Sequence, residues 1–288
     1  MDKRMQSVLI RLREMRPDLS ATEQVLADFI RRQPEQVLAM NVRELAQQSY
    51  TSPSAVIRLS KRLGFAGYRE LSRALTVELA SLRQGSGLRA EKILPQDSTE
   101  QIIEKITYNN IASLEDTRNL QDAATVDACV RLLRESRHIL LFGIGSSLCV
   151  ARDAYLKFLR LNKPCTVNDD WHSQLLEARN ASPQDVGIVF SYSGATVEMV
   201  ECMKALRENG APCIAVTRYA RSPVSELATY NLYTASTETL FRSGAMASRI
   251  SQLNVVDILF TLFANSEYDA CLVQLEKTHI HKPGEGQP

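Results

Sequence analysis

The chain has 288 residues, 44% of them hydrophobic, and its 34 Lys and Arg nearly balance 33 Asp and Glu. That is enough apolar matter for packed cores and length enough for two domains or one large one. No apolar run approaches the roughly 18 residues of a membrane span, and the charged, broken N-terminal stretch lacks the form of a signal peptide, so a cytoplasmic protein is expected.

Six cysteines (129, 149, 165, 202, 213 and 271) sit singly inside apolar segments. None has the CxxC or Cys/His spacing of a zinc site, so buried free thiols are expected, with no metal and no cofactor. The small net charge hides an asymmetry. Residues 1–84 hold 14 basic against 9 acidic side chains, and the rest hold 20 against 24. An excess of this size suits a polyanionic partner for the N-terminal third, or a solvated basic face.

From Leu19 to about Leu82 the apolar residues recur at helical spacing: Val25, Leu26, Phe29 and Ile30, then Val37 and Leu38, Leu45 and Ala46, and Val56, Leu59 and Leu63. This predicts an all-α bundle over residues 1–82. The stretch 83–98, RQGSGLRAEKILPQDS, reads as a linker. Helical patterns follow at 102–120 and 126–133. Strand-length apolar runs then alternate with helices: 138–145, 164–168, 186–191, 212–217 and 231–236. Strands apolar throughout, separated by helices, predict an α/β three-layer sandwich around a parallel sheet over 99–280, with a disordered tail at 281–288.

Within the bundle, residues 43–63, RELAQQSYTSPSAVIRLSKRL, parse as two helices joined by a tight turn. Ser52 caps the second, Pro53 fills its first turn, and Gly64 ends it. Val56, Leu59 and Leu63 then face inward, leaving Ser54, Ala55, Arg58, Lys61 and Arg62 on the outer side. That is helix-turn-helix geometry, whose second helix enters the major groove of double-stranded DNA. Arg58 would reach a guanine edge or a phosphate; Lys61, Arg62 and Arg69 would contact phosphates. Residues 19–71 resemble the N-terminal domain of the RpiR/MurR family of bacterial transcription regulators, through LSxxE at 19–23, ADFI at 27–30, ELA at 44–46, Ser52, VIR at 56–58 and KRLGFAGY at 61–68. The resemblance implies an operator-binding domain. Thr51, Pro53 and Ala55 depart from the family pattern and bear on base preference.

Two turns at strand ends ask for a ligand: FGIGSS (142–147) and SYSGAT (191–196). In each, N–H groups at a helix start and neighbouring hydroxyls suit a phosphate without any lysine. Neither turn has the third glycine of a dinucleotide fingerprint or the GKS/GKT of a P-loop. The pair resembles the sugar isomerase (SIS) domain, over roughly residues 128–268, found in phosphosugar isomerases and joined to this N-terminal domain in the RpiR family. The resemblance implies phosphate held by Ser191, Ser193, Gly194 and Thr196, with Gly145, Ser146 and Ser147 along the sugar. DWHSQ (170–174) resembles a DxHxQ stretch of the same domain, so His172 either faces the sugar or is satisfied by nearby backbone.

Aldose-ketose isomerisation needs a base near the sugar carbons. In isomerases of this fold an acid lies on the helix after the first strand, where this chain has Lys157 and Arg160 but no acid from 154 to 162. Asp169, Asp170, His172 and Glu177 are the clustered substitutes. The expectation is therefore a transcription regulator with no catalytic residue: a homodimer or homotetramer whose sheet domain senses a phosphosugar and modulates DNA binding. The alternative is a phosphosugar isomerase or lyase with an accessory helical domain.

Overall fold

The computed structural model describes residues 7–84, 92–236 and 245–280, so the expected tail lies outside the described residues. The chain forms two compact units: Met1–Asp122 with Arg218–Ser222 and Tyr233–Ser251, and Ala123–Thr217 with Pro223–Leu232 and Gln252–Pro288.

The first unit is helical: α1 Val8–Met15, α2 Ala21–Arg32, α3 Pro34–Leu38, α4 Val42–Gln48, α5 Pro53–Arg62, α6 Tyr68–Gln84 and α7 Thr99–Leu120. Capping boxes start α2 (Ser20 with Glu23), α4 (Asn41 with Glu44) and α7 (Ser98 with Gln101), satisfying backbone donors that have no partner within the helix. Helix α1 was not expected from the sequence. Its Val8, Leu12 and Met15 nonetheless join Leu26, Ile30, Leu59 and Leu75 in one core. The Glu78 carboxylate of α6 accepts from the amides of Val8 (2.7 Å) and Leu9 (3.2 Å) and from the Ser7 hydroxyl. Burial pushes this carboxyl above its ordinary range despite those three donors.

The second unit is built on a sheet of order β2-β1-β3-β4-β5, from β1 His138–Gly143, β2 Cys165–Val167, β3 Asp185–Phe190, β4 Cys213–Arg218 and β5 Tyr230–Thr234. The pairs β1·β2, β1·β3 and β3·β4 are parallel. Helices α8 Ala123–Glu135, α9 Ser146–Arg160, α10 Trp171–Asn180, α11 Val197–Glu208, α12 Pro223–Leu227, α13 Met246–Ser266 and α14 Tyr268–Lys277 complete the chain. Alternation along the strands divides the core in two. Ile139, Leu141, Ile188, Phe190 and Ile214 meet Val150, Ala154 and Phe158 of α9 and Val255 and Leu259 of α13 on one face. Leu140, Phe142, Val189 and Ala215 meet Ala178 of α10 and Met199, Met203 and Leu206 of α11 on the other. Period-two alternation with both faces apolar is what a covered parallel sheet requires.

Burial pushes the thiols of Cys129, Cys202 and Cys213 up to about 12, so these three are inert. The expectation of buried thiols fails at Cys149, exposed in the first turn of α9, and is met only in part at Cys165, which is half-buried.

Strand and helix backbones approach closely at Gly143. A Cβ there would stand 2.7 Å from the Ser147 carbonyl oxygen and 2.8 Å from its carbon, and backbone cannot swing aside as a side chain can. Gly143→Ala is expected to push the start of α9 off the sheet and destabilise the protein by about 1–3 kcal/mol, the usual cost of overpacking, read as a lowered midpoint in thermal or urea unfolding.

Candidate functional site: a helix-turn-helix face and a strand-end crevice

In the first unit α4 and α5 form the expected helix pair. The Ser52 hydroxyl accepts from the Ala55 amide at 3.2 Å, and Pro53 occupies the first turn. Ser54, Lys61 and Arg69 are exposed, where contact with a duplex is open to them. Ala55 is not: it is 2% exposed and packs inward beside Val56, a correction to its expected outer placement. At 100° per residue it lies closer to the inward stripe of Val56 and Leu59 than the outer face allows.

Two of the three arginines expected to meet DNA are engaged within the bundle. The Glu23 carboxylate of α2 takes Arg58 Nε at 3.2 Å and Arg62 Nη1 at 2.9 Å, besides the Ser20 amide and hydroxyl at 3.0 and 2.8 Å. Arg62 also donates to the Asp18 carbonyl. The Arg58 side chain remains 61% exposed while Arg62 is 35% exposed and the Glu23 side chain 2%. Burial alone would raise the Glu23 carboxyl, but Ser20, Arg58 and Arg62 outweigh it and hold it below its ordinary range. Arg62 is thus a tie between α5 and α2 before it is a phosphate contact. Arg58 is held at one nitrogen on a surface it shares with Lys61.

In the second unit both expected turns lie at the carboxyl ends of neighbouring strands. Gly143 of β1 is in register with Phe190 of β3, so FGIGSS and SYSGAT stand side by side. The chain leaves β1 for β2 through α9 and leaves β3 for β4 through α11, on opposite faces. That is a topological switch point, where open parallel sheets bind ligands. Neither helix start is capped by a side chain: Gly145 (φ 61°) precedes α9 and Thr196 precedes α11. At α9 the Ser147 and Leu148 amides donate to the Ile144 and Gly145 carbonyls at 3.2 and 3.1 Å, while each helix brings the positive end of its dipole to the strand ends.

Hydroxyls gather around the second turn. Ser191, 3% exposed, donates to Thr196 Oγ1 at 3.3 Å; Ser193 Oγ lies 3.5 Å from the same oxygen and accepts from the Ala195 amide at 3.3 Å. Gly194 (φ 66°) turns the chain between them, and its carbonyl accepts from the Val224 amide at 3.0 Å. At the first turn Ser147 is nearly buried and donates to Gln252 Oε1 at 3.3 Å, while Ser146 opens the helix.

Two buried glutamines hold this crevice, and sequence reasoning singled out neither. Gln174 of α10 accepts from the Gly143 amide at 3.1 Å and returns bonds to the carbonyls of Gly143 (3.0 Å) and Asn168 (2.9 Å). Gln252 of α13 reaches the Val216 carbonyl at 3.4 Å besides taking Ser147. The two-residue step from His172 to Gln174 in DWHSQ was the available signal for the first. Asp170 caps α10 through the Ser173 amide at 2.9 Å, which leaves the single tryptophan, Trp171, 42% exposed and His172 exposed in the first turn.

The acids considered as bases, Asp169, Asp170 and Glu177, all have partners, Asp170 in the Ser173 amide it caps, and so has Asp153, which was not among them. Asp153, on α9 just before the acid-free stretch, pairs with Lys157 at 2.5 Å, and Lys157 also meets Asp257 at 3.1 Å. Asp169 pairs with Arg152 at 2.6 Å, and Glu177 accepts from the Asn168 amide group at 2.5 Å. Burial raises the Glu177 carboxyl above its ordinary range, countered by Thr166, His138 and Asn168.

A helix-turn-helix bundle followed by a parallel sheet with paired donor turns at its switch point defines a class: DNA-binding regulators that carry a SIS domain. The rpiR-family helix-turn-helix domain model matches residues 6–82 and the SIS domain model residues 132–262. An uncharacterized helix-turn-helix transcriptional regulator of Caldanaerobacter subterraneus is 37% identical over 95% of this chain and 96% of its own. The uncharacterized regulator YbbH of Bacillus subtilis is 34% identical over 93% and 94%. Among solved structures, the Vibrio vulnificus NanR protein, complexed with ManNAc-6P, superposes with a TM-score of 0.59 at 26% identity, covering 94% of this chain and 96% of that one. The sugar isomerase domain of an RpiR transcription factor from Sphaerobacter thermophilus shares the fold at a TM-score of 0.56 and 24% identity, over 62% of this chain and 97% of its own. The chain belongs to the RpiR family of helix-turn-helix transcriptional regulators.

The Glu23 tie predicts an acid-sensitive bundle. With its folded pKa depressed, Glu23 contributes stability that is fully present above the unfolded value of ~4.3 and is lost as pH falls through the folded value. Glu23→Ala is expected to lower the unfolding midpoint at neutral pH and to flatten the acid limb of the stability curve, followed by circular dichroism between pH 3 and 7 (roughly the window set by carboxylate ionisation).

Proposed function

We propose that this regulator senses a phosphosugar in the crevice between β1 and β3, without turning it over, and that occupancy alters its affinity for operator DNA. The observation that carries the proposal is the pair of uncapped helix starts, α9 and α11, side by side at the switch point with Ser191, Ser193 and Thr196 around the second. Such donors meet a phosphate by hydrogen bonding and dipole rather than by a cationic side chain. The complex of Vibrio vulnificus NanR with ManNAc-6P supports the same ligand class. In this proposal Gly145, Ser146 and Ser147 line the sugar, and exposed His172 is the candidate for a hydroxyl at the rim.

Binding without turnover is supported by the pairing of Asp153 with Lys157, Asp169 with Arg152 and Glu177 with Asn168, which leaves each carboxylate serving the fold. On the DNA side, Ser54, Lys61 and Arg69 supply contacts, with Arg58 sharing its guanidinium with Glu23. A homodimer presents two copies of α5 about 34 Å apart, one turn of duplex, to a pseudo-palindromic site. A protein doing this work operates in the cytoplasm. Coupling requires that the ligand prefer one of two states differing in DNA affinity.

A thermal-shift screen over hexose, pentose and amino-sugar phosphates tests the proposal. A true effector at a hundredfold excess over its Kd adds about 2.7 kcal/mol of stability. Ser193→Ala is expected to weaken that shift and the DNA response to the same ligand, while DNA binding without ligand stays as in the wild type. Conversion of any panel member, lost on Glu177→Gln, would instead establish an isomerase.

A further inference from the structure

Helices α4 and α5 end in the same backbone motif. At the end of α5, the Gly64 amide donates to the Lys61 carbonyl (3.0 Å) and the Phe65 amide to the Ser60 carbonyl (3.0 Å), with Gly64 left-handed at φ 86°. At the end of α4, the Tyr50 amide donates to the Gln47 carbonyl (3.2 Å) and the Thr51 amide to the Ala46 carbonyl (2.8 Å), with Tyr50 left-handed at φ 53°. This paired bonding defines a Schellman ending, whose left-handed residue is ordinarily glycine because any Cβ crowds the backbone there. In the turn on which the helix-turn-helix depends, this chain places a bulky aromatic instead.

Among the described residues nothing repays that choice. Tyr50 is 95% exposed, so its ring gains no burial. The turn itself is held by its neighbours: Ser49 Oγ donates to the Leu45 carbonyl at 2.6 Å and lies 2.9 Å from Thr51 Oγ1. By contrast, the Tyr68 hydroxyl donates to the Val37 and Met40 carbonyls, and the Tyr219 hydroxyl to the Leu63 carbonyl. A strained, fully exposed side chain at a docking turn marks a site where the reward lies outside the chain. Tyr50 stands two residues before Ser52, the cap of α5, at the end of the helix that enters the major groove.

We infer that Tyr50 is a DNA-backbone contact, its O–H donating to a phosphodiester oxygen beside the base-reading start of α5. The inference rests on the DNA-binding assignment of the helix-turn-helix. It concerns affinity and register rather than sequence, because a phosphate contact carries no base information.

The test uses the full chain and a duplex enriched by the wild-type protein from a random pool. Tyr50→Gly removes the strain and the phenol together; Tyr50→Phe removes only the hydroxyl. Expected are a melting temperature for Tyr50→Gly at or above that of the wild type, and duplex affinity lowered about tenfold in both variants, the order of a hydrogen bond to a charged acceptor. A neutral donor displaces no counterion, so the slope of log K against log salt should stay at its wild-type value in both, whereas Lys61→Ala should make it shallower by about one. Wild-type affinity in both variants overturns the inference while leaving DNA binding by this domain intact. Loss in Tyr50→Gly with full retention in Tyr50→Phe also overturns it, since the hydroxyl is then not the contact. If the wild-type protein enriches no duplex, the DNA-binding assignment fails and the inference falls with it.

Discussion

The pairing of β1 with β3 is the constraint from which the second unit follows. Because β1 sits between β2 and β3, the helices that leave β1 and β3 must depart to opposite faces of the sheet. Their starts cannot cover one another, and a crevice remains above the register pair Gly143 and Phe190. The close approach of α9 to Gly143 fixes one wall. Gln174 ties the same glycine to α10 by bonding both its amide and its carbonyl, so the wall is held from two sides. Helix dipoles, glycines and hydroxyls add chemistry to a cleft that topology has already opened.

The first unit answers to a different kind of constraint, a buried acid. Glu23 caps its own helix and receives two arginines of α5, so the orientation of the helix offered to DNA depends on a charge hidden from solvent. Removing either arginine would leave that carboxylate short of donors in a poorly solvated place, which costs more than an exposed ion pair is worth. This accounts physically for the Leu-Ser-x-x-Glu pattern standing some 35 residues before the helix it steadies, the spacing between Glu23 and Arg58.

Much of this was legible from spacing. Alternating strand and helix texture located all five strands, and Ser52-Pro53 with Gly64 bounded α5 as the structure has it. The start of α1 was obscured by charge: arginines at 11 and 13 interrupt its apolar positions, and only the i, i+4, i+7 recurrence of Val8, Leu12 and Met15 reveals the inward stripe. Ala55 was misplaced because a small residue carries little signal about which face it takes. The engagement of Arg58 and Arg62 with Glu23 joins residues 35 and 39 positions apart, beyond any local pattern. Gln174 and Gln252 escaped notice for a related reason. A glutamine is usually a surface residue, and its burial among strand ends becomes apparent only when the backbone groups that need it are known.

One property of the SYSGAT turn bears on how such a sensor would respond to its surroundings. Ser191, Ser193, Gly194 and Thr196 contribute hydroxyls and amides, none of which changes ionisation near neutrality. A phosphate monoester does change, passing from monoanion to dianion around pH 6, with a second pKa of about 6. A turn made only of neutral donors gains strength as the ligand acquires its second charge. Any acidity dependence of phosphate capture at this turn would be written in the metabolite's own titration, while the turn's contribution stays constant.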